Sequence, residues 1–207
     1  MMRASLLAAA IALAGLMGPA AAESTKAAPP PAPGLAVATF AAGCFWCLEP
    51  PFDKLPGVVS TTSGYTDGNI PGPSYEQVSQ GGTGHTEAVR VVYDPAKVTY
   101  QILLATFWGN VDPVDGGGQF CDRGDQYRPG IYTHDAEQAG LAESAKAKLG
   151  ARFTQPIAVE VKPATVFYEA EAYHQDYYKR NPLQYSFYRL SCGRDARLKT
   201  VWSTPKS

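Results

Sequence analysis

Two cysteines lie close together near the start of the chain, in the stretch "AAGCFWCLEP". Cys44 and Cys47 are separated by Phe45 and Trp46. A pair with this spacing can be a structural disulfide, two ligands of a zinc site, a dithiol that exchanges with other disulfides, or a nucleophile with its own resolving thiol. The two cysteines therefore predict either a reactive thiol or a structural role as a disulfide or zinc site. The rest of the sequence must decide between these roles.

Cys44 falls where a strand-like run, "LAVATF", gives way through Gly43 to a helical pattern, "CFWCLEPPFDKL". A thiol at the start of a helix faces unpaired N–H groups and the positive end of the helix dipole. Both features stabilise a thiolate, which is the nucleophilic form of cysteine. We therefore expect Cys44 to be a nucleophile rather than half of a structural bridge to Cys47.

A zinc site is a less favoured interpretation. Cys121 and Cys192 stand alone, without the second cysteine pair that structural zinc sites use. The three histidines, His85, His134 and His174, have no mutual metal spacing, and we interpret each as structural rather than catalytic. The sequence therefore does not predict a metal centre.

A glutamate begins the clearest strand pattern, "HTEAVRVVY". Alternation places Glu87 on the same face as Val89, Val91 and Tyr93. If that face is the core side, the carboxyl group is desolvated, its pKa is raised, and it keeps its proton at neutral pH. A protonated glutamate can act as a general acid. The alternative is a solvated glutamate at a strand end, without a chemical role.

Two long loop-like segments, residues 63–85 and 110–130, are rich in Gly, Pro, Tyr and Asp. Long loops in a compact domain are usually functional. They carry Tyr75, Tyr127 and Asp122, whose side chains can donate hydrogen bonds or orient other groups. By themselves these residues do not define a site, because tyrosine and aspartate are common in loops.

The composition is that of an ordinary globular protein: 207 residues, 45% hydrophobic and 18% charged, with a net charge of −1. Such a small net charge gives no reason to expect nucleic acid or an anionic lipid surface as a partner. Four cysteines are too few for a disulfide scaffold. A single domain with its own core is expected.

The N-terminus has the features of an export signal. An arginine, the apolar run "LLAAAIALAGLMG" and three alanines predict a signal peptide over residues 1–22, cleaved before Glu23. An uncleaved membrane anchor is less favoured, because the run is short for a bilayer. Residues 23–34, "ESTKAAPPPAPG", have the composition of a linker, which leaves a folded domain over residues 35–207. We expect export, to the periplasm, without stable membrane association after cleavage.

The remaining patterns mix strands and helices without a strict βαβ repeat. Strands are predicted for "TEAVRVVYD", "IAVEV" and "ATVFY", and helices for "TYQILLATFWGN", "DAEQAGLAESAKAKLG" and "EAYHQDYYKRNP". Thr99 is the expected N-cap of the first helix, and Gly150 is the expected end of the second. This order predicts an α+β fold: a two-layer, ferredoxin-like α/β sandwich with a mixed central sheet and long functional loops.

Five segments resemble the methionine sulfoxide reductase A family: "GCFWCLEPPFDKLPGVVSTTSGYTDG", "PSYEQV", "GHTEAVRVVYDP", "FCDRGDQYRPGIY" and "CGRDARLKTVW". They occur in the order of the family and span residues 40–202. The combination of "GCFW" with "GHTEAV" is highly specific, whereas either motif alone is weaker evidence. The resemblance implies an enzyme that reduces the S epimer of methionine sulfoxide, free or within oxidised proteins, without a metal or organic cofactor.

The resemblance also implies the roles of individual residues. Cys44 matches the nucleophile that attacks the sulfoxide sulfur, and Phe45 and Trp46 match the apolar pocket for the methyl group of the substrate. Glu87 matches the acid that protonates the sulfoxide oxygen.

Three loop residues match groups that surround the same oxygen. Tyr75 and Tyr127 match the two tyrosines that hydrogen-bond it, and Asp122 matches an acid that supports this network. The chemistry is consistent with these residue types, because sulfoxide oxygen is a poor leaving group until it is protonated.

The reaction would leave a sulfenic acid on Cys44, which a second thiol must convert to a disulfide. Both Cys47 and Cys192 are candidates for this resolving thiol, with a slight preference for Cys47, which lies one helical turn away. Cys192 could react directly or take over the disulfide from Cys47, and Cys121 is treated as a spectator. An exported thioredoxin-like dithiol is the expected reductant, and we expect a monomer.

Two features depart from the family pattern. Pro50 and Pro51 fall inside the first predicted helix, where they could shorten or kink it and change the reach of Cys47. The sequence also ends soon after "TVWS", without the Gly-rich, cysteine-bearing tail of some members. A resolving cysteine on such a tail is therefore not expected.

Two rival functions are left open by the residues. A thiol–disulfide oxidoreductase would use Cys44 and Cys47 but would not need Glu87 or the loop tyrosines. A non-catalytic module that binds peptides or sugars with its loop aromatic residues, and that is stabilised by disulfide bonds, would have no free reactive thiol. A thiol count and an activity test with sulfoxide separate these from the reductase.

Overall fold

The computed structural model describes residues 25–203, so the predicted signal peptide lies outside the described residues. Two sheets and seven α-helices make up the described part of the chain. The strands are β1 (Ala36–Ala41), β2 (Val58–Thr66), β3 (Thr86–Tyr93), β4 (Gly118–Gln119), β5 (Asp122–Arg123), β6 (Gly130–Thr133), β7 (Glu160–Pro163) and β8 (Tyr168–Glu169). The helices are α1 (Phe45–Asp53), α2 (Tyr75–Ser79), α3 (Tyr100–Trp108), α4 (Ala136–Gly150), α5 (Tyr177–Arg180), α6 (Pro182–Ser191) and α7 (Arg194–Ser203), with one 3₁₀ turn at Asp125–Tyr127.

The main sheet has six strands in the order β7-β6-β1-β3-β2-β8. All neighbours in it are antiparallel except β6 and β7, which are parallel. Strands β4 and β5 form a separate short hairpin. A mixed central sheet with helices packed against it confirms the predicted α+β sandwich.

Strand β3 is buried along its whole length. Its face with Val89, Val91 and Tyr93 belongs to the large apolar core that also contains α1 and α3, as the alternation predicted. The opposite face is covered as well, because Ala88 packs in a second, smaller core with Phe167. Irregular chain rather than helices covers that second face.

Part of the predicted linker supplies this cover. The N–H of Ala28 donates to the carbonyl oxygen of Phe167 at 2.8 Å, and the carbonyl oxygen of Lys26 accepts from the N–H of Glu169 at 2.9 Å. The guanidinium of Arg90, on β3, donates to the carbonyl oxygen of Pro29 at 2.7 Å. Over its described residues the segment is therefore docked on the domain, in contrast to a free linker.

Several predicted elements are confirmed. Helix α3 begins after Thr99, whose hydroxyl oxygen accepts from the N–H of Ile102 at 3.4 Å, and α4 ends at Gly150. Helix α1 continues through Pro50 and Pro51 to Asp53, so the two prolines do not end it early.

Other predictions were wrong. The segment "EAYHQDYYKRNP" forms turns followed by the short helix α5, and only the last residue of "ATVFY" enters a strand, β8. Strand β2 and helices α6 and α7 were not predicted at all. Within residues 25–203, none of the helices has the length and apolar character needed to cross a bilayer.

Candidate active site

Cys44 lies at the junction between the sheet and α1, where it is the N-cap residue of the helix. The chain turns into this position through Gly43, which has a φ of +76°. A Cβ atom on Gly43 would lie 2.6 Å from the Cβ atom of Gln119, so only glycine fits here. This close approach brings the β4–β5 hairpin, and with it Asp122, next to the thiol.

The thiol of Cys44 is buried, with 7% of the residue exposed. Burial raises its pKa well above the usual value, and the nearby carboxyl of Glu87, the thiol of Cys47 and the carboxyl of Asp122 raise it further. The prediction that the helix start stabilises the thiolate is therefore wrong for the resting protein. The first amide of the helix is already used: the N–H of Phe45 donates to Oε2 of Glu87 at 3.1 Å.

Glu87 confirms the prediction of a desolvated carboxyl group. It is 3% exposed, and burial raises its pKa to about 8, although the hydrogen bond from the N–H of Phe45 lowers it. At neutral pH most molecules therefore carry a protonated Glu87. This carboxyl group lies within electrostatic reach of the Cys44 thiol.

Tyr75, at the start of α2, and Tyr127, in the 3₁₀ turn, approach the same place from two separate parts of the chain. The pKa of Tyr75 is raised to about 12, mainly by burial and to a smaller extent by the nearby Glu87 and Cys44. The pKa of Tyr127 is raised by burial, then by Glu87, Tyr75 and Cys44. Two neutral phenols therefore lie beside the carboxyl and thiol groups, where they can donate hydrogen bonds to an oxygen atom.

Specific contacts hold each phenol in place. The N–H of Tyr75, at the start of α2, donates to Oε1 of Glu171 at 2.7 Å, and the other carboxylate oxygen accepts from the hydroxyl of Tyr65 at 2.9 Å. The hydroxyl of Thr86 donates to the carbonyl oxygen of Gln126 at 3.0 Å, which ties the 3₁₀ turn of Tyr127 to the start of β3.

Hydrogen bonds to the backbone of Cys44 and to Tyr188 hold Asp122 beside the thiol. It accepts a hydrogen bond from the backbone N–H of Cys44, and both of its carboxylate oxygens accept from the hydroxyl of Tyr188, at 2.8 and 2.7 Å. Burial raises its pKa above the usual value. Tyr188, on α6, was not predicted as a site residue.

An aromatic wall stands beside the thiol. Phe45 is buried, and its ring lies 5.0 Å from the ring of His174. The ring of Trp46 stacks on Tyr177 with 3.7 Å between centroids, and its Nε1–H donates to Nδ1 of His174 at 3.1 Å. Burial lowers the pKa of His174 to about 4, so this histidine is neutral and can accept that hydrogen bond. Phe45 and Trp46 therefore have fixed orientations.

Cys47 is the second free thiol, and it is also buried. Its N–H bonds to the carbonyl oxygen of Cys44 at 3.1 Å, so the two cysteines share one turn of chain. Burial raises the pKa of Cys47, whereas the nearby guanidinium groups of Arg194 and Arg189 lower it. Because Pro51 has no N–H for the carbonyl oxygen of Cys47, that oxygen is open to Nη1 of Arg189, at 3.4 Å.

The other two cysteines form a disulfide. Cys121 and Cys192 are joined with 5.0 Å between their Cα atoms. Cys121, which the sequence analysis treats as a spectator, is therefore bonded to one of the two candidate resolving cysteines, and Cys192 is not a free thiol in this state of the protein. The bond connects the residue before Asp122 to the residue that caps α6, one turn after Tyr188.

Sequence reasoning missed Tyr188 and Glu171 as parts of this arrangement, and it interpreted His174 as a structural residue without its contact to Trp46. All three come from the segment after β8, where the elements were wrongly predicted, and only its density of aromatic residues could have drawn attention to it. Among the described residues, one cysteine-and-acid cluster has the spacing of metal ligands, formed by Cys121, Asp122 and Cys192. The two sulfur atoms of this cluster are bonded to each other and so cannot be thiolate ligands.

The arrangement as a whole places a thiol, a protonated carboxyl group and two phenols around one point, with an apolar wall beside it. Such a set can polarise and protonate an oxygen atom while a sulfur nucleophile attacks its neighbour. The second free thiol, that of Cys47, lies one turn further along the same helix.

Comparisons with known proteins agree with this chemistry. The family described as "Peptide methionine sulfoxide reductase" matches residues 36–206. The chain is 48% identical over 198 residues to a peptide methionine sulfoxide reductase of Caulobacter vibrioides, covering 95% of this chain and 96% of the relative. It is 48% identical over 167 residues to one of Listeria monocytogenes, covering 80% of this chain and 94% of the relative.

Solved structures show the same fold. Methionine sulfoxide reductase A of Corynebacterium diphtheriae is similar with a TM-score of 0.67 and 38% identity, over 73% of this chain and 77% of that one. Mxr1 of Saccharomyces cerevisiae in its reduced form gives a TM-score of 0.69 and 30% identity, over 77% of this chain and 91% of that one. The chain belongs to the peptide methionine sulfoxide reductase family and is an oxidoreductase that reduces methionine sulfoxide.

Proposed function

We propose that the protein reduces the S epimer of methionine sulfoxide, free and in oxidised proteins, with Cys44 as the nucleophile. One observation carries this proposal: the buried thiol of Cys44 lies close to the protonated carboxyl group of Glu87 and to two neutral phenols, those of Tyr75 and Tyr127. A metal or organic cofactor is not required for any step.

In the first step, the sulfoxide oxygen lies between Glu87, Tyr75 and Tyr127. Glu87 gives its proton to that oxygen, and the phenols stabilise the developing charge by hydrogen bonds. The sulfur of Cys44, as its thiolate, attacks the sulfoxide sulfur, and the protonated oxygen passes from that sulfur to Cys44 as a hydroxyl group. The S–O bond of the substrate breaks, an S–O bond forms on Cys44 to give a sulfenic acid, and the sulfide is released. The substrate sulfur gains two electrons, and Cys44 loses two.

The methyl group of the substrate would pack against Phe45 and Trp46. The indole of Trp46 is held on one side by Tyr177 and at its N–H by His174. A pocket with fixed walls can favour one epimer, because the methyl and the oxygen of the other epimer would exchange places.

We assign the resolving role to Cys47. Its thiolate attacks the sulfenic sulfur of Cys44, the S–S bond forms as the S–O bond breaks, and the hydroxide that leaves takes up a proton from solvent to become water. The shared helical turn supports this choice, as does the bond of Cys192 to Cys121. Burial raises the pKa of Cys47, and the two nearby guanidinium groups partly offset this effect.

The Cys44–Cys47 disulfide then requires an external dithiol, which we propose to be a thioredoxin-like protein. Because the N-terminal sequence has the features of a signal peptide, we place the enzyme and its reductant outside the cytoplasm, in the periplasm. We propose that the exported enzyme acts as a monomer, without stable membrane association.

Disulfide mapping after one turnover tests the assignment of the cysteines. The protein is fully reduced, freed of reductant, and mixed with less than one equivalent of methionine sulfoxide. Mass spectrometry should find Cys44–Cys47 as the first disulfide. In the Cys47→Ser variant methionine should still form, and a sulfenic-acid probe should label Cys44.

The Cys44→Ser variant is the matched control, since it should form no methionine while keeping the other three thiols. A first disulfide between Cys44 and Cys192 in the wild type would overturn the role of Cys47. Methionine formation by Cys44→Ser would overturn the role of Cys44.

A further inference from the structure

Tyr188 is the point at which α6 touches the reaction centre. Its hydroxyl is hydrogen-bonded to both carboxylate oxygens of Asp122 and also lies within hydrogen-bond reach of the Cys44 sulfur. Its ring meets the edge of Trp46 at 5.8 Å between centroids. Helix α6 itself has no buried residue, so these contacts are a main attachment of the helix to the site.

The direction of these hydrogen bonds follows from the number of protons. A phenol has one proton, and a carboxylate can only accept, so the hydroxyl of Tyr188 donates to Asp122. Towards Cys44 the same oxygen can then only accept, and the S–H group of the thiol is the donor. The three groups form one continuous chain, from the thiol through the phenol to the carboxylate.

We propose that Tyr188 relays the proton of the Cys44 thiol to Asp122, and so generates the thiolate that attacks the sulfoxide. The S–H proton passes to the oxygen of Tyr188 as the O–H proton of Tyr188 passes to the carboxylate of Asp122. Cys44 becomes a thiolate, Tyr188 stays neutral, and Asp122 becomes a carboxylic acid. This inference rests on the proposed function of Cys44 as nucleophile.

The surroundings explain why the thiol needs such a path. Cys44 is buried and its pKa is raised, so the fraction of thiolate at neutral pH is small without a nearby acceptor. Asp122, whose pKa is raised by burial, is a better proton acceptor than an ordinary aspartate. After the transfer, the hydroxyl of Tyr188 can donate to the new thiolate and stabilise it.

Other titratable and charged groups face this chain from the elements around it. They are Glu87 on β3, Cys47 on α1, Tyr75 on α2, Tyr127 on the 3₁₀ turn and Arg194 on α7. Glu87 cannot replace Asp122 as the acceptor, because it holds the proton that the sulfoxide oxygen requires. The relay therefore keeps the two proton transfers on separate groups. A proton returns from Asp122 to Glu87 through solvent before the next turnover.

The test is the rate of the first methionine formed by prereduced protein, measured in Tyr188→Phe between pH 6 and pH 10. Phenylalanine keeps the ring against Trp46 and removes only the hydroxyl. We expect a loss of about 100-fold at pH 7, in the range of a missing proton-transfer group. The ratio of wild-type to variant rates should shrink towards one as hydroxide takes over removal of the thiol proton.

Two further variants separate the relay from a structural effect. Asp122→Asn can still accept the hydrogen bond of Tyr188 but cannot take its proton, so it should show the same pH-dependent loss. The double variant should lose little more than either single variant, because both changes interrupt one chain. Tyr178→Phe is the matched control: its hydroxyl also donates to an aspartate, Asp53 at 2.7 Å, but at the far end of α1. Its rate should stay close to that of the wild type.

The outcomes are distinct. A constant ratio at every pH, or a wild-type rate in Tyr188→Phe, would overturn the relay while leaving the nucleophile assigned to Cys44. Independent, additive losses in the two single variants would also overturn it. Failure of the wild type to form methionine from either epimer would instead overturn the proposed function, and the relay with it.

Discussion

In the proposed mechanism, Cys44 and Glu87 need opposite protonation states at the moment of reaction, although both are buried in the same place. Burial favours the neutral form of each group, which suits a general acid but not a nucleophile. At the scale of single residues, the site therefore meets two requirements: a proton must be kept on Glu87 and removed from Cys44.

The requirement on Glu87 has a direct consequence for pH dependence. Because only the protonated carboxyl group can give a proton to the sulfoxide, the rate of the first methionine should fall as the pH rises through about 8. Glu87→Gln should be about 100-fold slower at pH 7, and its profile should lack this fall. The measurement is a single-turnover pH profile with prereduced protein.

Glu49→Gln is the control for that experiment, since Glu49 is also a buried glutamate but faces Thr61 rather than the thiol. It should keep the pH profile of the wild type. Equal rates for Glu87→Gln and the wild type would contradict the role of Glu87 as general acid.

At this scale the sequence predicted the residues that a short motif or a regular strand places together. Cys44, Phe45 and Trp46 are contiguous, and the alternation of β3 set the face of Glu87. Tyr188 could not be predicted, because it lies more than 140 positions from Cys44, in an unrecognised helix. The raised pKa of Cys44 was not predicted, because the sequence analysis considered the effect of the helix N-terminus on the thiol but not the burial of the thiol.

At the scale of elements, α6 depends on links near its C-terminal end and on few buried contacts. It is held by Tyr188, by Arg189 to the carbonyl oxygen of Cys47, and by the disulfide of Cys192 with Cys121. Leu183, Phe187 and Leu190 on this helix are all largely exposed. The disulfide therefore takes the place of the apolar packing that usually holds a helix.

Replacing both Cys121 and Cys192 by serine should lower the free energy of unfolding by about 4 kcal/mol, the value for a bridge across a loop of this length. The first methionine should still form, more slowly, with Cys44 and Cys47 oxidised afterwards. Urea denaturation and thiol mapping measure the two effects. Loss of the Cys44–Cys47 disulfide after turnover would contradict the separation of the two cysteine pairs.

Glu49, on α1, makes a second prediction at this scale. It is 1% exposed, burial raises its pKa to about 7, and its Oε2 atom has no hydrogen-bond partner. Between the unfolded pKa of about 4.3 and this value, the folded protein holds a proton that the unfolded chain has lost, so stability falls as the pH rises. Above pH 7 this loss is complete.

Glu49→Gln removes that dependence. The stability of the variant relative to wild type should therefore be greater at pH 8 than at pH 5, as measured by urea denaturation at both values. The exposed Glu143→Gln on α4 should show no such difference. A Glu49→Gln effect that is equal at the two pH values would contradict the buried, protonated state.

The elements that could be predicted from the sequence were those in which apolar residues repeat with the spacing of a helix or a strand. Helices α3 and α4 and strand β3 are of this kind. In β2, "VVSTTSGYT", the Ser and Gly residues interrupt the Val, Thr and Tyr residues that favour a strand, so no regular alternation of apolar and polar residues marks it. Its strand conformation comes from pairing with β3, which puts Tyr65 opposite Glu87. Tertiary pairing of this kind is not visible in a local pattern.

At the scale of the whole molecule, the sheet is covered by helices on one face and by irregular chain on the other. The segment that begins the described residues lies on that second face, bonded to β8 and to Arg90. This arrangement leaves the reaction centre at the end of α1, among loops from three separate parts of the chain. Substrate and reductant must both approach from there.

The proposed export signal makes a prediction at the same scale. When the full chain is produced in a bacterium with two membranes, the mature protein should start at Glu23 and be recovered in the periplasmic fraction. N-terminal mass spectrometry of the fractions measures this. Recovery of the uncleaved chain from the cytoplasm or the membrane would contradict the proposed localisation.

The most direct test of the reductase chemistry is single-turnover reduction of the separated S and R epimers of a blocked methionine sulfoxide. The protein is prereduced and no reductant is added. We expect one methionine per protein from the S epimer and none from the R epimer, with loss of the Cys44 and Cys47 thiols. No methionine from either epimer, with both thiols still free, would contradict it and leave dithiol exchange as the explanation of the cysteine pair.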